Sequence, residues 1–213
     1  TRVSPTRLYD SRTSGDPVGP ARSVRVTPPS ANGSSVLNVT VTEAADDGFV
    51  TVRPCNRVLP PVSNLNPNPA HTTSNLVVVP NTAGDWCVYS YGTTHVVVDH
   101  IGTLDQVAAA VNSRLLDTRL GGAPVAADST TEVTVGGAGV VALNVTAVDE
   151  TTPGFVTVYD CVDERPWASN LNTAPDHPVA NLVLVPGDTT VCLYSHGSTH
   201  LVVDHVATIP PPG

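Results

Sequence analysis

The sequence predicts an all-β protein composed of two tandem β-sandwich domains, of jelly-roll or immunoglobulin-like type. Three observations support this prediction. First, the apolar runs are dominated by Val, aromatic residues make up only 4% of the chain, and β-branched side chains favour strands. Second, twenty Pro and sixteen Gly interrupt the chain every few residues, as turns between short strands require. Third, the whole pattern occurs twice.

The repeat has a period of about 106 residues and predicts two copies of one fold. We expect domain 1 to cover residues 1–101 and domain 2 to cover residues 113–207. The matching segments are RLYDSR (7–12) and RLLDTR (114–119), LNVT (37–40 and 143–146), GFVTV (48–52 and 154–158), SNLN (63–66 and 169–172), and GTTHVVVDH (92–100) and GSTHLVVDH (197–205).

Individual strands can be predicted from the alternation of apolar and polar residues. In VLNVTVT, Leu37, Val39 and Val41 alternate with more polar neighbours, as in a half-buried strand. NLVVVP and HVVVDH are apolar on both faces and predict central strands. Short strands with regularly spaced turns favour a sandwich or a jelly roll.

The segment between the two domains has a different composition. LDQVAAAV is rich in helix-forming residues, and Thr103 with Gln106 matches a helical capping box. The sequence therefore predicts a short helical linker over residues 102–112. After domain 2, residues 208–213 include three Pro and predict a stiff tail or linker.

Four cysteines occur at matching positions in the two copies, with spacings of 32 and 31 residues. An even, repeated set predicts the disulfides Cys55–Cys87 and Cys161–Cys192; free thiols and a zinc site remain as alternatives. Each disulfide would stabilise its domain by about 3.5–4 kcal/mol. Disulfides also predict an oxidising, secreted or cell-surface location.

The charge composition limits the possible partners. The ten basic residues are all Arg, and the formal net charge is −9, which argues against nucleic acid or an anionic membrane as a partner. The sequence has no apolar run of 18 residues, so membrane insertion is not expected. Because the chain has no Met, we expect it to be a mature or excised piece of a longer protein. No cofactor is predicted.

The motif order R-x-x-D-[ST]-R, LNVT, GFVTV, Cys, SNLN, Cys and STHLVVD resembles a repeat of secreted and cell-surface proteins from high-GC Gram-positive (actinobacterial) bacteria. The resemblance covers residues 6–101 and 113–207. It implies an extracellular domain that occurs in tandem or beside a catalytic domain, and it brings no assigned activity. One departure is that His100 and His205 follow the final Asp, where the family has an apolar residue and a Gly-Tyr pair.

The THVVVDH motif could suggest a catalytic or metal site. In a strand, however, His95 and Asp99 would lie roughly 13 Å apart, and His100 would point to the opposite face. Ser90 or Ser195 could complete a triad only through tertiary folding. To bind a metal, the imidazoles of domain 2 would have to converge from different strands; they are His177, His196, His200 and His205. We therefore predict no catalytic residues, no metal site and no enzymatic activity.

The R-x-x-D-[ST]-R motif predicts a structural ionic cluster that joins the first and last strands of each domain. An Arg can bind two carboxylates at once, and the alternative is a site for anions or acidic sugars. The predicted clusters are Asp10, Arg12 and Asp99 in the first copy, and Asp117, Arg119 and Asp204 in the second.

The SNLN loops are candidates for glycan binding, because amide side chains bind sugar hydroxyls. The candidate residues are Asn64, Asn66, Asn170, Asn172 and the adjacent aromatic residue Trp167.

The most consistent function is a non-enzymatic extracellular spacer, adhesin or fibre subunit. Self-association, head to tail through residues 1–5 and exposed strand edges, or contact with a cell-surface glycan or protein, is expected. The alternative is a pair of carbohydrate-binding modules within a larger secreted protein that acts on cell walls or polysaccharides.

Overall fold

A computed structural model describes residues 5–106, 108–175 and 177–211, the side chain of residue 110 excepted. In these parts of the chain the structure is all-β, with four antiparallel sheets and two single-turn 3-10 helices, Ser11–Thr13 and Thr118–Gly121. The chain divides into two compact units, Thr1–Ala110 (unit 1) and Val111–Gly213 (unit 2). Residues 1–4, in which head-to-tail contacts were predicted, lie outside the described residues.

Unit 1 contains two sheets with the strand orders β1-β7-β3-β5 and β2-β6-β4. Its strands are β1 (Thr6–Asp10), β2 (Arg22–Val26), β3 (Ser34–Thr42), β4 (Val50–Pro54), β5 (Thr73–Pro80), β6 (Trp86–Ser90) and β7 (His95–Leu104).

Unit 2 repeats this arrangement with the orders β8-β15-β10-β13 and β9-β14-β11-β12. Its strands are β8 (Ala109–Asp117), β9 (Ser129–Val135), β10 (Val140–Val148), β11 (Gly154–Asp160), β12 (Leu171–Thr173), β13 (Val179–Pro186), β14 (Thr189–Ser195) and β15 (His200–Ile209). In unit 1 an isolated bridge between Val50 and Leu65 lies at the place of β12.

The two sheets of each unit share one apolar core, rich in Val and Leu, in an arrangement like that of a β-sandwich. On β3, Leu37, Val39 and Val41 are at most 1% exposed, and they belong to one cluster with Val50 of β4 and Val88 of β6 in the other sheet. Unit 2 has the equivalent cluster. The period-2 pattern of VLNVTVT is explained by this burial, since alternate side chains of a strand face the core.

Both predicted disulfides are confirmed. The Cα atoms are 4.8 Å apart in Cys55–Cys87 and 5.0 Å apart in Cys161–Cys192. Each bond links the residue that follows β4 or β11 to the adjacent strand β6 or β14. The disulfide therefore closes the same sheet in each unit.

The predicted helical linker over residues 102–112 is wrong. β7 continues to Leu104, and β8 begins at Ala109; residue 107 lies outside the described residues. Ala108 is 1% exposed, and its N–H donates to Ser34 Oγ (2.7 Å). Burial and the pairing of β8 with β15 override the local helix propensity, which is a weak preference.

Two further predictions need correction. The HVVVDH strands are central, but the NLVVVP strands β5 and β13 lie at sheet edges, with Leu76 39% and Leu184 56% exposed. Residues 208–209, predicted as part of the tail, belong to β15, while residues 212–213 lie outside the described residues.

Candidate functional site

An Arg–Asp cluster connects the first and last strands of unit 1. Arg7 Nε donates to Asp99 Oδ1 (2.5 Å), and its Nη1 donates to Asp10 Oδ2 (2.6 Å). Arg12 then binds Asp10 through Nε (2.9 Å) and Nη2 (2.7 Å). The structure thus brings the predicted residues Asp10, Arg12 and Asp99 together, with Arg7 as the link between the two carboxylates.

Unit 2 contains the same cluster with more complete burial. Arg114 donates through Nε (2.9 Å) and Nη2 (3.1 Å) to the two oxygens of Asp204, and through Nη1 (2.9 Å) to Asp117. Arg119 binds Asp117 at 2.8 and 2.6 Å. The side chain of Asp204 is 1% exposed, against 21% for its counterpart Asp99.

The electrostatics of the cluster follow from these contacts. Hydrogen bonds from Arg12 lower the pKa of Asp10, and those from Arg119 lower the pKa of Asp117 to about 2. For Asp204, burial raises the pKa, although Arg114 opposes this effect. Asp204 is therefore the member of the cluster that depends most on its Arg partner.

The clusters predicted from the sequence omit Arg7 and Arg114. In the structure β1 ends at Asp10, whose Oδ1 accepts the backbone N–H of Arg12 (3.1 Å) and caps a 3-10 turn. The turn, not strand alternation, brings the two side chains together. The leading Arg of R-x-x-D in both copies was the available signal for the missing residue.

A hydroxyl lies closer to His95 than the sequence analysis expected. Ser11 Oγ is 2.9 Å from His95 Nδ1 and accepts the N–H of Val96 (2.9 Å). In unit 2, Thr118 makes the same contacts with His200 (3.0 Å) and Leu201 (2.9 Å). Because Ser11 is fully buried and each hydroxyl holds a backbone group, this motif joins the 3-10 turn to the last strand.

The first Asn of each SNLN loop accepts a hydrogen bond from a backbone N–H group. Asn64 Oδ1 accepts the N–H of Val52, and Asn170 Oδ1 accepts the N–H of Val158, both at 2.7 Å. Asn64 is only 3% exposed. The Asn64 side chain therefore has almost no surface to offer a glycan, and the Asn170 oxygen is occupied by the bond from Val158.

The second Asn of each loop occupies a more open position. The Oδ1 atoms of Asn66 and Asn172 accept hydrogen bonds from Ser63 (3.3 Å) and Ser169 (3.0 Å). Asn66 is half-buried and Asn172 is exposed. Of the four predicted amides, Asn172 alone lies beside Trp167, where both line one surface cavity.

Trp167 is 100% exposed and lies in an aromatic surface of unit 2. The Arg165 guanidinium carbon is 3.7 Å from the centroid of the Tyr194 ring and 5.8 Å from that of Trp167, which are cation–π distances. Phe155 lies 6.0 Å from Tyr194. We call Phe155, Arg165, Trp167, Asn172 and Tyr194 the Trp167 patch; these residues, Tyr194 excepted, line a cavity of about 270 Å³ together with Pro166, Ala168 and Ser169.

Two further side chains extend the edge of the Trp167 patch. His196 stacks on Phe155 at 5.0 Å. Asp128 accepts hydrogen bonds from the Tyr194 hydroxyl (2.5 Å) and from His196 Nδ1 (3.0 Å), and these bonds lower its pKa. The tyrosine is thereby fixed in place beneath Arg165.

Unit 1 carries a simpler surface at the equivalent place. Phe49 stacks on Tyr91 at 5.2 Å and lies 5.9 Å from Tyr89, as Phe155 does with His196 and Tyr194. Leu59 and Pro61 occupy the positions of Arg165 and Trp167. The aromatic base is thus common to both units, while the cation and the exposed indole belong to unit 2.

Glu150 is a buried acid that occurs in unit 2 at the position of Ala44 in unit 1. It is 6% exposed and, among the described residues, no hydrogen-bond partner satisfies either carboxylate oxygen. Burial raises its pKa to about 7. The preceding residue, Asp149, has a positive φ of 57°, as in a turn, but the Glu150 side chain is buried.

Metal-ligating side chains do not converge on an open site in the parts of the chain that the structure describes. Glu132 lies beside Cys161 and Cys192, but a disulfide holds both sulfurs. The histidines of unit 2 have separate surroundings, because His200 contacts Thr118 and His205 Nε2 lies 2.8 Å from Thr208 Oγ1.

No helix in the described parts of the chain has the length and apolar character needed to cross a membrane. In the comparisons with known proteins, no family, curated protein or solved structure matches the chain.

Proposed function

We propose that the protein is a non-enzymatic, secreted structural or adhesive protein, a spacer or fibre subunit built from two disulfide-closed β-domains. The observation that carries this proposal is that the same polar side chains form the same internal bonds in both units. The Arg–Asp clusters, the Ser/Thr–His contacts and the first Asn of each SNLN loop all link strands or turns. The duplicated polar residues thus serve a scaffold, and duplication of a scaffold lengthens a spacer.

The strand order supports a jelly roll as the finer description of each unit. Numbering the eight strands of unit 2 from one to eight, the two sheets have the orders 1-8-3-6 and 2-7-4-5. Consecutive strands therefore lie in different sheets except at the single hairpin between β11 and β12. This is the arrangement of a double Greek-key jelly roll, rather than that of the immunoglobulin fold.

Edge strands support self-association. β13 is an edge strand that exposes 56% of Leu184, and an unpaired edge with an apolar side chain can pair with a second chain. A heterologous contact of this kind builds open filaments. We expect Leu184→Lys to abolish oligomers that light scattering and negative-stain images detect, while Val162→Lys, at an exposed position outside any strand, leaves them intact. A wild-type protein that is monomeric at high concentration would contradict self-association.

The second candidate is a pair of carbohydrate-binding modules within a larger secreted protein. The observation that favours it is the aromatic surface at equivalent places in the two units, Phe49 with Tyr91 and Phe155 with His196. Aromatic faces that remain exposed beside polar groups are characteristic of binding surfaces. A glycan array tests this candidate independently of the scattering experiment.

A further inference from the structure

We propose that the Trp167 patch is a binding site for a neutral polysaccharide and that it exists in unit 2 alone. The inference rests on the second candidate function, restricts binding to one of the two units, and is independent of the structural role. It rests on the geometry of three groups: an exposed indole, a stacked guanidinium and a neighbouring amide.

The Trp167 patch offers a flat apolar surface at its centre. Trp167 is fully exposed, so the whole indole face is available. A pyranose ring has an apolar face of C–H groups and a rim of hydroxyls, and it can stack on an aromatic ring without losing the hydration of its edges. The cavity beside the indole, about 270 Å³, is slightly smaller than typical ligand sites, which span about 300–1,000 Å³, and it is large enough for a short stretch of a sugar chain.

Hydrogen-bonding groups surround this apolar centre. The guanidinium carbon of Arg165 lies 3.7 Å from the centroid of the Tyr194 ring. This contact limits the motion of the side chain, and its N–H groups are available to donate to a ligand. Among the residues that the structure describes, no carboxylate forms an ion pair with Arg165 within 4 Å. Asn172 supplies both amide donors and an acceptor, and Ser169 lies next to it on the cavity wall.

The surrounding charge favours a neutral ligand over an acidic one. The chain has a net charge of −9, and Asp128 lies directly behind Tyr194 (2.5 Å). The loop that carries Arg165 also contains Asp163 and Glu164. A polyanion would approach against this field, whereas the hydroxyls of a neutral sugar can accept from Arg165 and donate to Asp128.

Unit 1 lacks the two side chains that carry the site. Leu59 and Pro61 stand in place of Arg165 and Trp167, so these two positions of unit 1 provide neither a cation nor an indole. The two units of the repeat therefore share a scaffold and differ in binding.

Tryptophan fluorescence gives a specific test, because the chain has two Trp and Trp86 is fully buried. Quenching by acrylamide thus reports on Trp167. Three soluble neutral polysaccharides are titrated into the protein: a β-glucan, a galactomannan and an arabinogalactan. We expect at least one of them to protect Trp167 from quenching in a saturable manner. Affinity electrophoresis in gels containing the same polysaccharides measures the binding of variants without the fluorophore.

In those gels Trp167→Ala should weaken binding at least tenfold, and Arg165→Lys, which retains the charge but loses the planar stack, should weaken it about threefold or more. The matched controls are Val162→Ala, 88% exposed in the same loop, and Val58→Ala, 87% exposed in the corresponding loop of unit 1; both should bind like the wild type. Tyr91→Ala, in the aromatic surface of unit 1, distinguishes a site in unit 2 alone from a pair of binding modules. The proposal is overturned if no neutral polysaccharide binds, if polygalacturonate alone binds, or if Tyr91→Ala loses as much affinity as Trp167→Ala. Scattering measured without glycan reports separately on self-association.

Discussion

Replacement of Glu150 by Gln should remove a pH-dependent loss of stability from unit 2. The carboxyl group is 6% exposed, and burial raises its pKa from 4.5 to about 7. The Thr199 hydroxyl offers little compensation, because it donates to the carbonyl of Val148 (2.9 Å). In the folded unit, the protonated, neutral form of Glu150 is therefore favoured over the ionised form.

The direction of the pH dependence of the free energy of unfolding follows from proton linkage. Below pH 4.5 the carboxyl is protonated in both states, so ionisation costs nothing. Between pH 4.5 and about 7 the unfolded chain loses the proton and the folded chain keeps it, so the free energy of unfolding falls as the pH rises. A pKa difference of about 2.5 units at 1.36 kcal/mol per unit gives a total loss of about 3 kcal/mol by pH 8. Above pH 7 the loss levels off.

The measurement is urea unfolding of the wild type and of Glu150→Gln at pH 5, 6, 7 and 8, followed by circular dichroism. The amide has unsatisfied groups of its own, which shift the variant by a constant amount. The informative quantity is the change with pH, and we expect the variant to gain about 2.5 kcal/mol relative to the wild type from pH 5 to 8, because roughly 0.8 kcal/mol of the total is already lost at pH 5. His205, whose pKa burial lowers, contributes the opposite trend, but it is present in both proteins and cancels in the difference.

Two controls make the test specific. Glu164→Gln, at an exposed position of the same unit, should show no pH-dependent difference from the wild type. The fluorescence of Trp86 follows unit 1 and should be unchanged by Glu150→Gln. A difference between variant and wild type that stays within about 0.5 kcal/mol across the pH range would refute the buried-acid reasoning.

Two other predictions concern the scaffold. Arg114→Ala should lower the free energy of unfolding by roughly 2–4 kcal/mol, because it leaves Asp204, 1% exposed, without its partner; Arg7→Ala should cost about 1 kcal/mol, since Arg7 is 48% and Asp99 21% exposed. Equal losses in urea unfolding would contradict this order. Reduction of the disulfides should destabilise each unit by about 3.5–4 kcal/mol, and an unchanged melting temperature in dithiothreitol would rule out that contribution.

The sequence predicted those features that depend on local pattern and on the repeat. Alternation identified the buried face of β3, and equal spacing in the two copies identified both disulfides. The prediction of a helical linker failed because the helix propensity of the Ala-rich segment is weaker than the stabilisation from pairing β8 with β15. Likewise, the apolar NLVVVP segments were predicted as central strands, but apolar faces do not specify how many neighbours a strand has.

The candidate site was predicted less completely, because it depends on contacts between distant segments. Trp167 and Asn172 were recognisable from their place around SNLN. The position of Arg165 over Tyr194, however, requires the loop after β11 to fold back across β14, which no local pattern indicates. The burial of Glu150 was equally hidden, although one signal existed: an acid in unit 2 aligned with Ala44 of unit 1.

Comparison of the two copies separates the scaffold from the binding surface better than either copy alone. Where the copies agree in polar residues, the structure shows the side chains bonded internally, so that agreement indicates a structural constraint. Four of the positions at which they differ bring unit 2 a cation, an exposed aromatic ring, an imidazole and a buried acid. These changes leave the Arg–Asp cluster, the disulfide and the SNLN hydrogen bonds intact, because the changed residues lie in other loops or at other strand ends. The differing pairs are Leu59 and Arg165, Pro61 and Trp167, Tyr91 and His196, and Ala44 and Glu150. A duplicated scaffold of this kind can retain its rigidity in both copies while one copy acquires a ligand site.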